Sequence, residues 1–183
     1  MLIHLKLPSA LHDRMIHDLE RPHAHAYERV GFLFVKKGTL DSGNLLLLAA
    51  EYQTVRDENY IDDPYVGAKI NSAAIRSAME RAMICGYGII HIHLHNENYS
   101  SAFSKTDRIQ FDKLIHSFHN IGGDAVHGAA VISGSRFTAF VLLRKNDPPV
   151  QVSRMTIVGH HITDYIQERS MPWAMTGTAV KAS

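Results

Sequence analysis

The segment 89–95, Ile-Ile-His-Ile-His-Leu-His, constrains the fold of this chain more than any other. Successive side chains on a β-strand point to opposite faces, so on a strand His91, His93 and His95 would share one face. The chain holds 13 histidines, and histidine is the commonest metal ligand and the usual acid–base group near neutral pH. An ordinary strand with a polar outer face would show the same alternation, so the segment alone leaves both interpretations open.

The rest of the chain mixes helical and extended patterns. Helical spacing of apolar residues predicts helices, and short apolar runs that end at turn signals predict strands. The predicted helices cover Ser9 to Glu20, a stretch that begins at Asn71 or Ser72, and Lys105 to Asn120. The predicted strands cover 30–36, 45–52, 89–95, 128–133, 137–143 and 151–160, with a short helix after the last and polar loops over 56–67 and 96–103. This order predicts an α/β (α+β mixed) fold with a mixed sheet.

Composition is that of an ordinary soluble domain and excludes several functions. At 183 residues, of which 45% are apolar and 20% charged, the chain is long enough for one hydrophobic core. A net charge of +1 gives no support for nucleic acid or an anionic membrane as a partner. The single Cys85 rules out a disulfide framework, and the N-terminus lacks a signal-peptide core. We therefore expect a cytoplasmic protein with one domain over residues 1–170 and a flexible tail over 171–183.

A metal site follows if one more ligand joins the histidines. Two imidazoles two residues apart on a strand can converge on one ion, and Asp107, in the first turn of the third predicted helix, can complete the shell. Zinc held by two histidines and one carboxylate keeps a position open for water, as catalytic sites do. Ser104-x-x-Asp107 ahead of an apolar helix is also a capping box, in which the serine caps the helix and the acidic residue reaches back. Both interpretations of Asp107 stay open at this point.

The joint spacing of these residues resembles the signature of the JAMM (JAB/MPN) metalloisopeptidase family. His93-x-His95 is followed by Ser104 nine residues after the second histidine and by Asp107 twelve after it. The family also has a glutamate upstream in a Glu-x-x-Gly setting, and this chain has Glu28-Arg-Val-Gly31. Counting nine residues from His93 instead would reach an alanine, so the register selects His93 and His95 rather than the preceding pair.

The resemblance implies a single MPN/JAB-like domain, in which a central mixed, curved β-sheet is flanked by helices. It implies one Zn²⁺ per chain, with His93, His95 and Asp107 as ligands. Glu28 would be the general base, and Ser104 would donate a hydrogen bond to the oxyanion of the tetrahedral intermediate. The implied activity is hydrolysis after the C-terminal glycine of ubiquitin or a ubiquitin-like protein. Small bacterial members serve ubiquitin-like conjugation systems, including antiphage operons, so E1-like and E2-like proteins are the implied partners.

Two residues depart from this pattern. Asn96 stands where many family members have proline directly after the second histidine. That proline is not a ligand, so we expect the difference to affect the loop rather than the chemistry. His91 extends the histidine row by one, and we expect an outer-face position beneath the site.

Three other hypotheses remain. A sulfur-carrier or tail-processing peptidase would use the same site without any conjugation role. A catalytically silent MPN-type scaffold would not need to retain all five site residues. A histidine-rich metal-storage or sensing protein would bind several metal equivalents per chain rather than one.

Overall fold

Strands make up most of the regular structure in residues 1–40 and 43–167, which are the residues that this computed structural model describes. The strands are β1 (Ile3–Pro8), β2 (Val30–Thr39), β3 (Leu45–Thr54), β4 (Gly88–Leu94), β5 (His127–Ser133), β6 (Arg136–Leu142), β7 (Val150–Gln151), β8 (Arg154–Val158) and β9 (Ile162–Gln167). The helices are α1 (Ser9–Leu19), α2 (Ser72–Cys85) and α3 (Lys105–Phe118), with 3₁₀ turns at Asp57–Asn59 and His119–Ile121. The predicted tail, 171–183, lies outside the described residues.

Eight of the strands close into a barrel. Their order is β5-β4-β2-β3-β1-β8-β9-β6, and β6 pairs with β5 to complete the ring, while β7 pairs with β6. β1 runs parallel to both β3 and β8, β4 runs parallel to β5, and β9 runs parallel to β6. The other pairs around the ring are antiparallel.

The predicted fold class is wrong. The expectation was an α/β, MPN/JAB-like domain with a curved sheet flanked by helices, whereas the described residues form a mostly β structure whose sheet closes on itself. Closure depends on β1, β8 and β9, which carry the sheet from β3 round to β6. No strand was predicted over residues 3–8, where β1 lies, and a short helix was predicted where β9 lies.

Alternate residues of β2, β4, β5 and β6 belong to different cores. One face of the ring supplies a cluster of buried residues from β1 to β6 and β8, which Met15 and Leu19 of α1 join and against which Tyr165 of β9 packs. The other face of β2 and β4 packs under α2, and that of β5 and β6 packs under α3. On β4, Ile90 and Ile92 belong to the first cluster, so His91 and His93, which alternate with them, face the helices.

The helices are short, and side-chain caps stabilise the N-termini of α2 and α3. The Asn71 side chain accepts hydrogen bonds from the backbone N–H groups of Ala73 and Ala74, and Gly86 ends α2 in the left-handed conformation. Ser104 caps α3. Within residues 1–40 and 43–167, the helices fall short of the length and apolar character needed to cross a membrane.

Candidate metal centre

Two histidine side chains meet at the end of β4. His93 lies on the strand and His95 directly follows it, and their Nε2 atoms are 3.1 Å apart. The backbone N–H of His95 donates to the carbonyl oxygen of Ile132 at 2.8 Å, which continues the pairing with β5 beyond the last strand residue. The strand alternation that the sequence indicates therefore places both imidazoles on one face.

Two carboxylates approach this pair from different elements. Asp107, in the first turn of α3, has its Oδ1 4.0 Å from Nε2 of His93 and its Oδ2 3.9 Å from Nε2 of His95. Glu28 has its Oε1 4.0 Å from Nε2 of His95. Glu28 reaches the site because Val30, two residues later, pairs with His93 in the antiparallel β2–β4 ladder.

A backbone contact orients the His95 ring. Its Nδ1 lies 2.8 Å from the carbonyl oxygen of Ser100, and a carbonyl can only accept, so Nδ1 carries the proton. In the neutral ring, Nε2 then presents its lone pair to the site. The loop that carries Ser100 is held in place by Ser133, whose hydroxyl donates to the carbonyl of Tyr99 at 2.7 Å, and by Arg136, which donates to the same carbonyl at 2.8 Å.

Burial keeps His93 neutral and raises the pKa of Glu28. The His93 side chain is 2% exposed, and burial, with a smaller effect of His95, lowers its pKa to about 4 against the opposing charge of Asp107. Burial likewise raises the pKa of Glu28; the neighbouring His95 lowers it and Asp107 raises it further. A neutral imidazole can bind a cation, and a carboxylate with a raised pKa is a better proton acceptor.

Ser104 and Asp107 also form the capping box. Ser104 Oγ accepts from the backbone N–H of Asp107 at 3.1 Å, and the backbone N–H of Ser104 donates to Oδ2 of Asp107 at 2.8 Å. Capping uses Oδ2, while Oδ1 is the oxygen nearer His93. The two interpretations of Asp107 are therefore compatible, and the capping box fixes the carboxylate beside the histidines.

The donor atoms suit a divalent cation such as zinc. Ligand atoms that bind one tetrahedral zinc at about 2.1 Å lie roughly 3.4 Å from each other. The spacing of 3.1 Å between the histidine nitrogens and the carboxylate contacts of 3.9 to 4.0 Å come close to that value. One ligand atom from each of Glu28, His93 and His95 falls within 4.8 Å of the others. This group contains Glu28 and not Asp107, so by distance alone Glu28 is as suited to be a ligand as to be a free base.

The structure places His91 differently from the expectation. It is 6% exposed rather than on an open outer face, and its ring packs 5.0 Å from that of Phe111 on α3. A second His-x-His pair, His23 and His25, lies upstream in the sequence and is not part of the site. Nδ1 of His23 instead accepts from the backbone N–H of His25 at 3.3 Å, as in an ordinary loop.

Gly67 contacts the catalytic candidate and was not indicated by the sequence. Its carbonyl accepts from the backbone N–H groups of Tyr27 at 2.9 Å and Glu28 at 3.1 Å. A Cβ at Gly67 would lie 2.6 Å from Oε2 of Glu28, closer than atoms can approach without a shift. The loop that precedes α2 therefore lies against the Glu28 carboxylate, and a larger residue at position 67 would require the end of the Glu28 side chain to shift.

Comparisons with known proteins assign no family. No protein-family model matches the chain, and no curated protein matches it. Among solved structures, the Trichoplax adhaerens STIL N-terminal domain aligns with 75% of this chain at 9% identity and a TM-score of 0.38. The chain spans 41% of the length of that protein chain. A likeness at this level carries no argument about fold or function.

Proposed function

We propose that this protein is a zinc-dependent hydrolase of the JAMM type that cleaves an amide bond, with His93, His95 and Asp107 as zinc ligands. The observation that carries the proposal is the convergence of two histidine Nε2 atoms, 3.1 Å apart, with the carboxylates of Asp107 and Glu28. The proposal depends on this donor set and on the spacing of its residues in the sequence, and not on the fold class.

In this mechanism the protein supplies a base, a hydrogen-bond donor and orientation. Zinc held by His93, His95 and Asp107 would lower the pKa of a water molecule and polarise the scissile carbonyl. Glu28 would accept a proton from the attacking water and return it to the leaving amine, a task suited to its raised pKa. Ser104, an exposed residue at the start of α3, donates its hydroxyl hydrogen to the developing oxyanion. The Ser100 carbonyl keeps His95 in the tautomer that binds metal.

For the substrate we propose a ubiquitin-like protein that is cut after its C-terminal glycine, either in a precursor or in a conjugate. A glycine tail lets the substrate backbone approach the metal ligands closely, because glycine carries no side chain. From the JAMM resemblance alone, we propose that the protein is cytoplasmic and that it acts together with the E1-like and E2-like proteins of a bacterial conjugation system.

The proposal is tested with three substrates and the zinc-loaded protein. These are a quenched peptide with Gly-Gly before the scissile bond, ubiquitin with a C-terminal extension, and lysine-linked diubiquitin. We expect mass spectrometry to find cleavage after the glycine of at least one substrate. Chelation should abolish cleavage, and added zinc should restore it. Failure of the zinc-loaded protein on all three would reject the proposed activity and favour the scaffold hypothesis.

Gly67→Ala is expected to lower kcat by about 10- to 100-fold without loss of zinc, because the new methyl group displaces the Glu28 carboxylate. Gly38→Ala is the matched control, since a Cβ there would meet its nearest atom at an ordinary 3.8 Å. Steady-state kinetics and zinc content are measured on both variants. Wild-type kcat in Gly67→Ala would show that the position of Glu28 does not limit turnover.

A further inference from the structure

A cavity of about 210 Å³ opens directly beside the candidate metal centre. Glu28, His93 and Asp107 form part of its wall, and the loop that precedes α2 covers it through Val66, Gly67 and Ala68. The remaining wall combines apolar side chains, among them Ile75, Phe111 and Leu114, with polar ones that include Lys69 and Gln110. The site residues therefore border a concave space and not an open surface.

The size and the lining of this cavity suit one amino-acid side chain. Apolar cavities of about 150 Å³ accept benzene, whereas pockets for drug-sized ligands hold roughly 300 to 1,000 Å³. Ile70, Ile75 and Leu114 are only half-buried, although each packs against the core under α2. Apolar surface left uncovered in this way gains free energy when an apolar group covers it.

In the proposed mechanism, the cavity would lie on the side of the site that the leaving group occupies. Glu28, which returns the proton to the leaving amine in the proposed mechanism, lines the cavity. Ser104, which faces the oxyanion in that mechanism, is not among the described residues that line it. A glycine before the scissile bond has no side chain to fill this volume, whereas the residue after the bond, whose amine Glu28 would protonate, can have one.

We infer that this cavity binds the side chain of the residue directly after the scissile bond, and that it selects an apolar residue of leucine to phenylalanine size. This inference rests on the proposed hydrolase function. Ile75 on α2 and Leu114 on α3 would then determine which residue is accepted after the scissile bond. The inference also predicts that a linear precursor with such a residue after its terminal glycine is a good substrate.

The first test uses quenched peptides Ala-Ala-Gly-Gly-Xaa-Ala, in which Xaa is glycine, alanine, leucine or phenylalanine. We expect kcat/KM for leucine and phenylalanine to exceed that for glycine at least about tenfold in the zinc-loaded wild type. Ile75→Phe and Leu114→Phe fill the cavity from either side and should bring that ratio close to one. Ile84→Phe, on the same helix as Ile75 but at a 76% exposed position, is the matched control and should keep the wild-type ratio.

The second test measures binding without turnover. Leucyl-alaninamide and glycyl-alaninamide represent the leaving fragments, and their dissociation constants are obtained by NMR titration of the zinc-loaded protein. We expect tighter binding of the leucyl compound, at least about tenfold, and loss of that difference in Ile75→Phe.

The outcomes separate this inference from the proposed function. Equal kcat/KM across the peptides, or a preference that survives both filled variants, would overturn the inference while leaving the hydrolase intact. Selective binding of leucyl-alaninamide without hydrolysis of any peptide would support the pocket and reject the hydrolase. Absence of both hydrolysis and selective binding would reject the two together.

Discussion

His95→Ala is expected to remove zinc from the protein. The wild type should hold about one zinc per chain and the variant less than about 0.1, because alanine supplies no donor in place of an imidazole that is one of the three proposed ligands. Even outer-shell partners of metal ligands contribute roughly 10- to 100-fold to affinity, so loss of a ligand should exceed that. Elemental analysis after gel filtration, with protein concentration measured independently, gives the ratio.

His116→Ala provides the matched control for this prediction. His116 is a histidine on α3 whose side chain is 40% exposed and whose Nε2 lies 3.5 Å from Oδ1 of Asp112, away from the proposed ligands. Its replacement should leave the zinc content at the wild-type level. Equal zinc in His95→Ala and the wild type would overturn the ligand assignment. Several equivalents in the wild type would favour metal storage or sensing.

Asp107→Asn separates the two roles of Asp107. An asparagine side-chain oxygen can still accept from the backbone N–H of Ser104, so the capping box should persist. We expect the free energy of unfolding of the metal-free variant to stay within about 1 kcal/mol of the wild type, measured by denaturant titration. Zinc affinity should nevertheless fall, because the amide carries no negative charge. Unchanged affinity would leave Asp107 with the capping role alone.

The proximity of the candidate site residues was more predictable from the sequence than the fold, because the patterns that bring them together are local. Alternation along β4 puts His93 and His95 on one face, and the capping box fixes Asp107 at the start of α3. Both patterns act within a few residues, so they can be identified without knowing how the chain closes. The approach of Glu28 is less local, since it requires the β2–β4 register that pairs Val30 with His93.

The barrel escaped prediction because its closure depends on distant pairings. Ile3, Leu5 and Leu7 alternate with polar residues and are fully buried, so β1 carried a readable strand signal. Nothing in that alternation indicates that β1 lies between β3 and β8 and runs parallel to both. The strand pattern of β9 was weaker still. The strand pairs on both sides, yet its Ile162 and Ile166 remain exposed, so its apolar residues do not mark a buried face.

The contacts missed within the site have a similar cause. The role of Gly67 depends on the path of a polar loop from the end of β3 to Glu28, which no local pattern fixes. His91 follows the same alternation as its neighbours, yet it is buried against Phe111 because α3 crosses that part of β4. Strand alternation gives the face on which a residue lies, but the covering helix decides whether that face meets solvent.

Glu28→Gln is expected to retain zinc and to lower kcat by about 10²- to 10⁴-fold, the usual contribution of a general base. Glutamine has nearly the same shape, so the contact with Gly67 and the hydrogen bond from the Glu28 backbone N–H to Gly67 should survive. The amide, however, cannot accept the proton that leaves the attacking water. Kinetics with the best-cleaved glycine substrate and elemental analysis are carried out on the same preparation.

Turnover and zinc content, measured together, also show whether Glu28 is a general base or a metal ligand, since the distances allow both roles. Its Oε1 lies 4.0 Å from Nε2 of His95, about as far as the nearest oxygen of Asp107 at 3.9 Å. If Glu28 is a base that does not bind the metal, the Glu28→Gln protein should lose turnover and keep its zinc. If Glu28 is a fourth ligand, the variant should lose both. Glu58→Gln, at a side chain that is 69% exposed, controls for the loss of one negative charge and should change neither. Normal turnover in Glu28→Gln would exclude Glu28 as the base, and the proton would then have to pass to another group at the site.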